Sequence, residues 1–359
     1  MTLVIVDVHT GLRRVPLRRP WGETVRDIGV IPVSVTTDDG MTGHGFSWTP
    51  SIGATAVRAL IDDDLAPFLR GRTVTPELWQ QSWEHVHEAG GGGVTTIALA
   101  GVDLALWDAA AKRRDLPLAD LLGRHHDRQP AYGSGVNLHY PLDELVQQAE
   151  RWVAAGFTAV KVKIGRPDLA DDLDRLAAVR DVLGPDRRLM VDANQRWTLD
   201  RALTAAAALE PLDIAWLEEP LRSDDTAGYR ELRAASRIPI ALGENVHHIH
   251  RFRDLIDAGA VDVVQPNVVR VGGITPFLAI ADLVRDAGLV LAPHLLPELS
   301  AQLAFALPET TWVEEVEDAG LWPLGALAHD SGVTIADGWA TGGRRPGLGL
   351  DFSTTGSTP

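Results

Sequence analysis

The stretch Thr158-Ala-Val-Lys-Val-Lys-Ile-Gly165 reads as a buried β-strand that carries two ammonium groups. Side chains two apart on a strand point to the same face, so Lys161 and Lys163 lie side by side there. Their repulsion needs an answer. An edge strand with both lysines snorkelling to solvent is one. Valines at 160 and 162 and strand-like segments on either side of this one argue instead for a strand inside a closed sheet.

Working outward from it, short apolar runs alternate with helical patterns: 131–138 (AYGSGVNL), 190–194 (MVDAN), 214–220 (IAWLEEP), 239–245 (PIALGEN), 261–267 (VDVVQPN), 289–294 (LVLAPH) and 311–317 (TWVEEVE). Strand–helix repetition implies parallel strands with crossover helices. With 158–165 the count reaches eight, enough to close a barrel of the TIM type. Residues 1–125 read differently, as strands followed by helices, and form an expected α+β module. The polar, Pro-ended segment 123–130 (GRHHDRQP) suits a linker into a barrel over 126–320. The Gly-rich segment 321–359 is expected to pack back on the first module.

Composition narrows the partners. A net charge of -16 opposes nucleic-acid or anionic-membrane binding. There is no cysteine, so thiolate chemistry and disulfides are unavailable and any metal must take oxygen or nitrogen ligands. The opening MTLVIVDVHTGLRR has no basic start, and its apolar run is too short for a signal peptide or a membrane helix. A cytoplasmic protein is expected.

The chemistry lies in where the unusual side chains fall. Lys163, Asp192, Glu218, Glu244, Asn267, His294 and Glu314 each sit at or near the end of an expected strand, at gaps of 29, 26, 26, 23, 27 and 20 residues. One strand–helix unit per gap puts them on one barrel rim, where barrel enzymes keep their active sites. Asp192, Glu218 and Glu244 would repel one another there unless a cation sat between them, and Mg²⁺ takes a few carboxylates plus water and substrate oxygens. Pairing of each with a nearby arginine is the plainer alternative. Two lysines beside such a cation could hold an anionic ligand while each lowers the other's pKa, which would make one a competent base.

The segments KVKIG, VDANQRW, LEEPL, LGENVH, VRVGGIT, APHLLPELS and WVEE, in this order, resemble the enolase superfamily and its mandelate racemase subgroup. LAGVDLALWDAAAK and PGLGLDF resemble that family's capping-domain helix and tail. The resemblance implies a modified (β/α)7β barrel under an α+β capping domain, with segments near 18–30 and 47–55 closing on the substrate. It implies one Mg²⁺ per subunit on Asp192, Glu218 and Glu244. Lys163 would take the proton α to a carboxylate, Lys161 would assist its charge, His294 would face the opposite side, and Glu314 would donate a hydrogen bond to the enolate oxygen. Asn194 would be a metal-shell or substrate contact.

One position departs from the pattern. Where the subgroup backs its histidine with an aspartate after proline, this chain has Pro266-Asn267. A neutral amide orients the ring without stabilising imidazolium nearly as well, which puts two-base racemisation in doubt. The expected reaction is therefore one-sided, the dehydration of a sugar acid. A racemase, epimerase or cycloisomerase working through the same enediolate is the second reading, and a non-catalytic sugar-acid binder the third. The expected partner is a small carboxylate, and the protein is expected to be a homo-oligomer.

Weaker features remain. His247 of HHIH (247–250) is a candidate substrate contact, and GGGG (90–93) lacks the Lys-Ser/Thr of a phosphate loop. VGGIT opens a helix whose N-terminus can bind an anion. The expected lid loop PLRRPWGETVRD carries Arg18, Arg19, Glu23 and Arg26 beside Trp21 and suits a polar hydroxy acid better than a purely aromatic one, although Trp21 and Trp48 could also line an apolar pocket.

Overall fold

A computed structural model describes residues 3–22 and 24–352; Glu23, one of the expected lid residues, lies outside the described residues. The chain opens with four strands, β1 (Ile5–Thr10), β2 (Arg13–Trp21), β3 (Val25–Thr37) and β4 (Thr42–Thr49). The long β3 pairs antiparallel with each of the other three. The helices α1 (Ala54–Leu60), α2 (Ala66–Leu69), α3 (Leu78–Val86), α4 (Val94–Arg113) and α5 (Leu118–Leu121) follow.

α4 lies directly on β4, and small residues make this possible. A Cβ built on Gly45 would stand 2.3 Å from the Gly101 carbonyl oxygen, and one on Gly43 would stand 1.9 Å from that of Ala105. By length and apolarity α4 could span a membrane, but 78% of that window is buried inside the molecule, the mark of a core helix.

The barrel runs β5 (Arg128–Ser134), α6 (Leu142–Ala154), β6 (Ala159–Lys163), α7 (Leu169–Leu183), β7 (Arg188–Asp192), α8 (Leu199–Leu209), β8 (Ile214–Glu218), α9 (Thr226–Ala235), β9 (Ile240–Leu242), α10 (Ile249–Asp257), β10 (Val263–Val264), α11 (Ile274–Asp286), β11 (Val290–Leu291), α12 (Pro297–Ala306) and β12 (Val313–Val316). Parallel ladders join neighbours from β5 to β11. β12 pairs parallel with β5, Glu314 opposite Tyr132, so the eighth strand returns to the first. This is the (β/α)7β barrel with an α+β cap.

The C-terminal residues divide their contacts. A hairpin, β13 (Val333–Ala336) with β14 (Trp339–Gly342), pairs antiparallel with β5. Further on, Leu348 N–H donates to Asp108 of α4 at 2.8 Å, and the Phe352 ring lies 5.0 Å from that of Phe46 on β4. The expected lid loop is mostly hairpin: β2 and β3 pair up to Trp21–Val25. Two of its arginines are engaged within the protein: Arg18 bonds Asp318 and the Pro323 carbonyl, and Arg19 bonds Glu144 over the ring of Tyr140.

The cap is tied to the barrel through a carboxyl group the protein supplies itself. The buried Asp103 of α4 accepts from Thr275 N–H at 2.9 Å and Thr275 Oγ1 at 2.6 Å, at the start of α11. Gly273 makes room for it, since a Cβ there would lie 2.3 Å from Asp103 Oδ2. The helix N-terminus in VGGIT is thus filled by a side chain.

Candidate active site

Every rim residue singled out above reaches one end of the barrel. Lys161 and Lys163 alternate on β6, Asp192 and Glu218 end β7 and β8, Glu314 lies in β12, and Glu244, Asn267 and His294 follow β9, β10 and β11 by two or three residues. All are buried. The backbone just past the strands turns left-handed at Asn194, Gln195, Glu219, Leu295 and Leu296, with φ between 38° and 61°. Non-glycine residues seldom hold that conformation outside functional loops.

The lysines pair with the carboxylates. Lys161 Nζ donates to Glu218 Oε1 and lies as close to Glu314 Oε1, both at 2.7 Å, with Asp192 at 3.9 Å and the Tyr132 ring beneath it. Lys163 Nζ pairs with Asp192 Oδ2. Burial alone would lower the pKa of Lys161, but Glu218 and Glu314 outweigh it and hold it well above the ordinary range. For Lys163, burial and the Lys161 charge work downward, and Asp192, Glu244 and Glu218 carry the net shift upward. In this arrangement carboxylates outnumber the ammonium groups and hold both lysines protonated.

Glu314, expected as a donor, is held as an acceptor in this arrangement. Burial raises its pKa, yet Lys161 overrides this and brings it to about 2. It accepts from Leu295 N–H at 2.9 Å, and an ionised carboxylate has no hydrogen to donate.

Asp192, Glu218 and Glu244 offer oxygens that all lie within 4.8 Å of one another. Three buried hard-oxygen donors converging from successive strands, with no sulfur or nitrogen among them, suit Mg²⁺. Their supports are in place. Asn194 donates to Asp192 through both its N–H at 2.8 Å and its amide at 3.3 Å. Glu218 Oε2 accepts from Trp216 and Gln265, and Asn245 bridges Glu244 to Glu219.

A cavity of about 170 Å³ reaches this set at Glu244. Lys163, Asn194, Glu244, Arg270, His294 and Glu314 supply its polar side. Trp21 and Trp48, edge to face at 6.3 Å, form an apolar wall from the cap. His247 is not among the lining residues; it packs under Gly92, whose Cβ would stand 3.0 Å from its own. Burial and Arg270 push it down to about 4, so it is neutral.

Sequence reasoning missed Gln265, Glu219 and Arg270. A glutamine within the apolar VDVVQPN was a visible signal for the first. Arg270, which donates to the Glu244 carbonyl at 3.1 Å, follows no strand period and gave none.

Comparison with known proteins agrees with this geometry. Residues 1–123 match the family described as mandelate racemase / muconate lactonizing enzyme, N-terminal domain, and residues 144–355 match the enolase C-terminal domain-like family. The chain is 37% identical to a 3,6-anhydro-alpha-L-galactonate cycloisomerase of Streptomyces coelicolor over 98% of its own length and 99% of the relative's. It is 36% identical to an L-talarate/galactarate dehydratase of Salmonella typhimurium over 91% and 81% of the two chains. The crystal structure of an L-talarate dehydratase from Polaromonas sp. JS666, complexed with Mg and L-glucarate, superposes with a TM-score of 0.87 at 37% identity, covering 98% and 95%. The cap, the barrel and the rim of paired lysines and carboxylates are those of the enolase superfamily, and this chain belongs to its mandelate racemase / muconate lactonizing enzyme branch.

Proposed function

We propose that the protein removes the proton α to the carboxylate of a sugar acid and expels the β-oxygen, most often as water, leaving a 2-keto-3-deoxy acid. The observation that carries this is the convergence of Asp192, Glu218 and Glu244 next to a cavity that Lys163, Glu244 and His294 line together. Asp192, Glu218 and Glu244 would hold Mg²⁺, which supplies Lewis-acid polarisation of the substrate carboxylate.

The chain's own residues do the rest. Lys163 Nζ, once its pairing with Asp192 is relieved, takes the α-proton. Lys161, locked between Glu218 and Glu314, holds a positive charge beneath the site where negative charge develops. Trp21 and Trp48 cover the cavity and limit water.

A second reading has a specific support, the cycloisomerase relative that spans 98% of this chain. If the β-oxygen belongs to a ring, the same elimination opens the ring and no water is lost. The site otherwise suits a small carboxylate. The acidic net charge of -16 opposes nucleic-acid and anionic-membrane partners.

The test is a panel of aldonates, aldarates and anhydroaldonates with Mg²⁺, read by 2-keto product and by mass. Loss of water identifies a dehydratase, and a 2-keto product of unchanged mass a cycloisomerase. Tight Mg²⁺-dependent binding with no turnover anywhere in the panel would sink both.

A further inference from the structure

The backbone just beyond Asn267 decides which way its amide points. Oδ1 accepts from the N–H groups of Val269 and Arg270, each at 3.1 Å. A flipped amide would set its NH₂ against those two donors, an arrangement with no acceptor in it. Asn267 is completely buried, so that cost would be paid in full. The amide nitrogen is thereby the atom that faces His294 Nδ1, at 3.0 Å. An amide nitrogen only donates, so Nδ1 must accept. At the other end of the ring, Nε2 lies 2.7 Å from Glu244 Oε2, an acceptor. The Asn267 contact by itself fixes the ring form, with the lone pair on Nδ1 and the hydrogen on Nε2.

We propose that Asn267 is a positioning residue that holds His294 as its neutral Nε2–H tautomer, so that the ring serves as a hydrogen-bond donor and not as a second base. An aspartate at 267 would accept from Nδ1–H and turn the Nε2 lone pair toward the cavity, the form a base requires. With asparagine, the proton traffic falls to Lys163 alone. The substrate Cα–H bond breaks and its proton goes to Lys163 Nζ, while the electron pair enters the enediolate. The enediolate collapses, the β C–O bond breaks, and the departing oxygen takes the proton back from the same Nζ. His294, its Nε2–H released from Glu244, donates a hydrogen bond to a substrate oxygen and keeps its hydrogen throughout. A neutral histidine polarising a substrate oxygen has chemical precedent.

The catalytic consequence rests on the elimination proposed above; the tautomer does not. It is read on the protein itself, ¹⁵N-labelled at histidine and saturated with Mg²⁺, by long-range ¹H–¹⁵N NMR, with His294 assigned by its loss in His294→Gln. The expected pattern is a pyridine-type Nδ1 and a pyrrole-type Nε2. In Asn267→Asp the two types exchange, or both nitrogens become pyrrole-type. A pyrrole-type Nδ1 in the unsubstituted protein overturns the proposal, whether or not the variant folds and whether or not a substrate is found. On the acid identified by the panel, His294→Gln is expected to lower kcat by about tenfold, the worth of roughly one hydrogen bond. A loss of about 10²- to 10⁴-fold would show that the ring itself transfers a proton, against the proposal.

Discussion

Lys163 and Asp192 compete for the same function. The ammonium group occupies the carboxylate that a divalent cation would take, and the carboxylate keeps the amine protonated. Catalysis needs the pair separated, with a cation on Asp192 and a free amine on Lys163. Lys163→Ala is therefore expected to lower kcat by about 10²- to 10⁴-fold, the worth of a positioned base. The same substitution should tighten Mg²⁺ binding in calorimetric titration, because it removes a competing positive charge. A variant that loses activity and Mg²⁺ affinity together would instead give Lys163 a structural role.

Elements meet here through small residues and one buried acid. The approach of α4 to β4 leaves no space above Gly45, with the Ala105 nitrogen 2.5 Å from where a Cβ would be. Gly45→Ala should destabilise the protein by about 1–3 kcal/mol in chemical denaturation, the range for overpacking. Asp103, joining α4 to α11, gives a pH signature. Burial pushes its pKa up, the bonds from Thr275 oppose this, and the net value is about 7 against 3.8 ordinarily. The folded chain then binds a proton that the unfolded chain releases above pH 3.8. Its contribution is full below that pH and is lost as pH rises toward 7, at up to about 1.4 kcal/mol per unit. Comparing denaturation of wild type and Asp103→Asn across this range should show the slope weakened in the variant. Equal slopes would mean Asp103 is ionised in the folded protein.

At the scale of the whole molecule, the carboxylates converge only when β7, β8 and β9 are in register, so a cation bound there stabilises the folded chain. Mg²⁺ at a hundred times its dissociation constant should add about 2.7 kcal/mol, seen as a rise in thermal midpoint that a chelator reverses and Asp192→Asn abolishes. Much of this site is legible in the sequence because βα repetition spaces rim residues regularly: Lys163, Asp192, Glu218, Glu244, Asn267, His294 and Glu314 stand out by register alone. What was not legible in the cap was the continuation of β2 and β3 through 18–28, where Arg18 and Arg19 are held by Asp318 and Glu144, far along the chain. Nor was the role of Glu314, because whether it donates or accepts depends on a lysine from another strand. Strand order and the residue types on one rim follow from local periodicity, which the amino-acid sequence carries by itself. Charge state, amide orientation and histidine tautomer arise where distant segments come within hydrogen-bond reach, and the tertiary structure alone decides them.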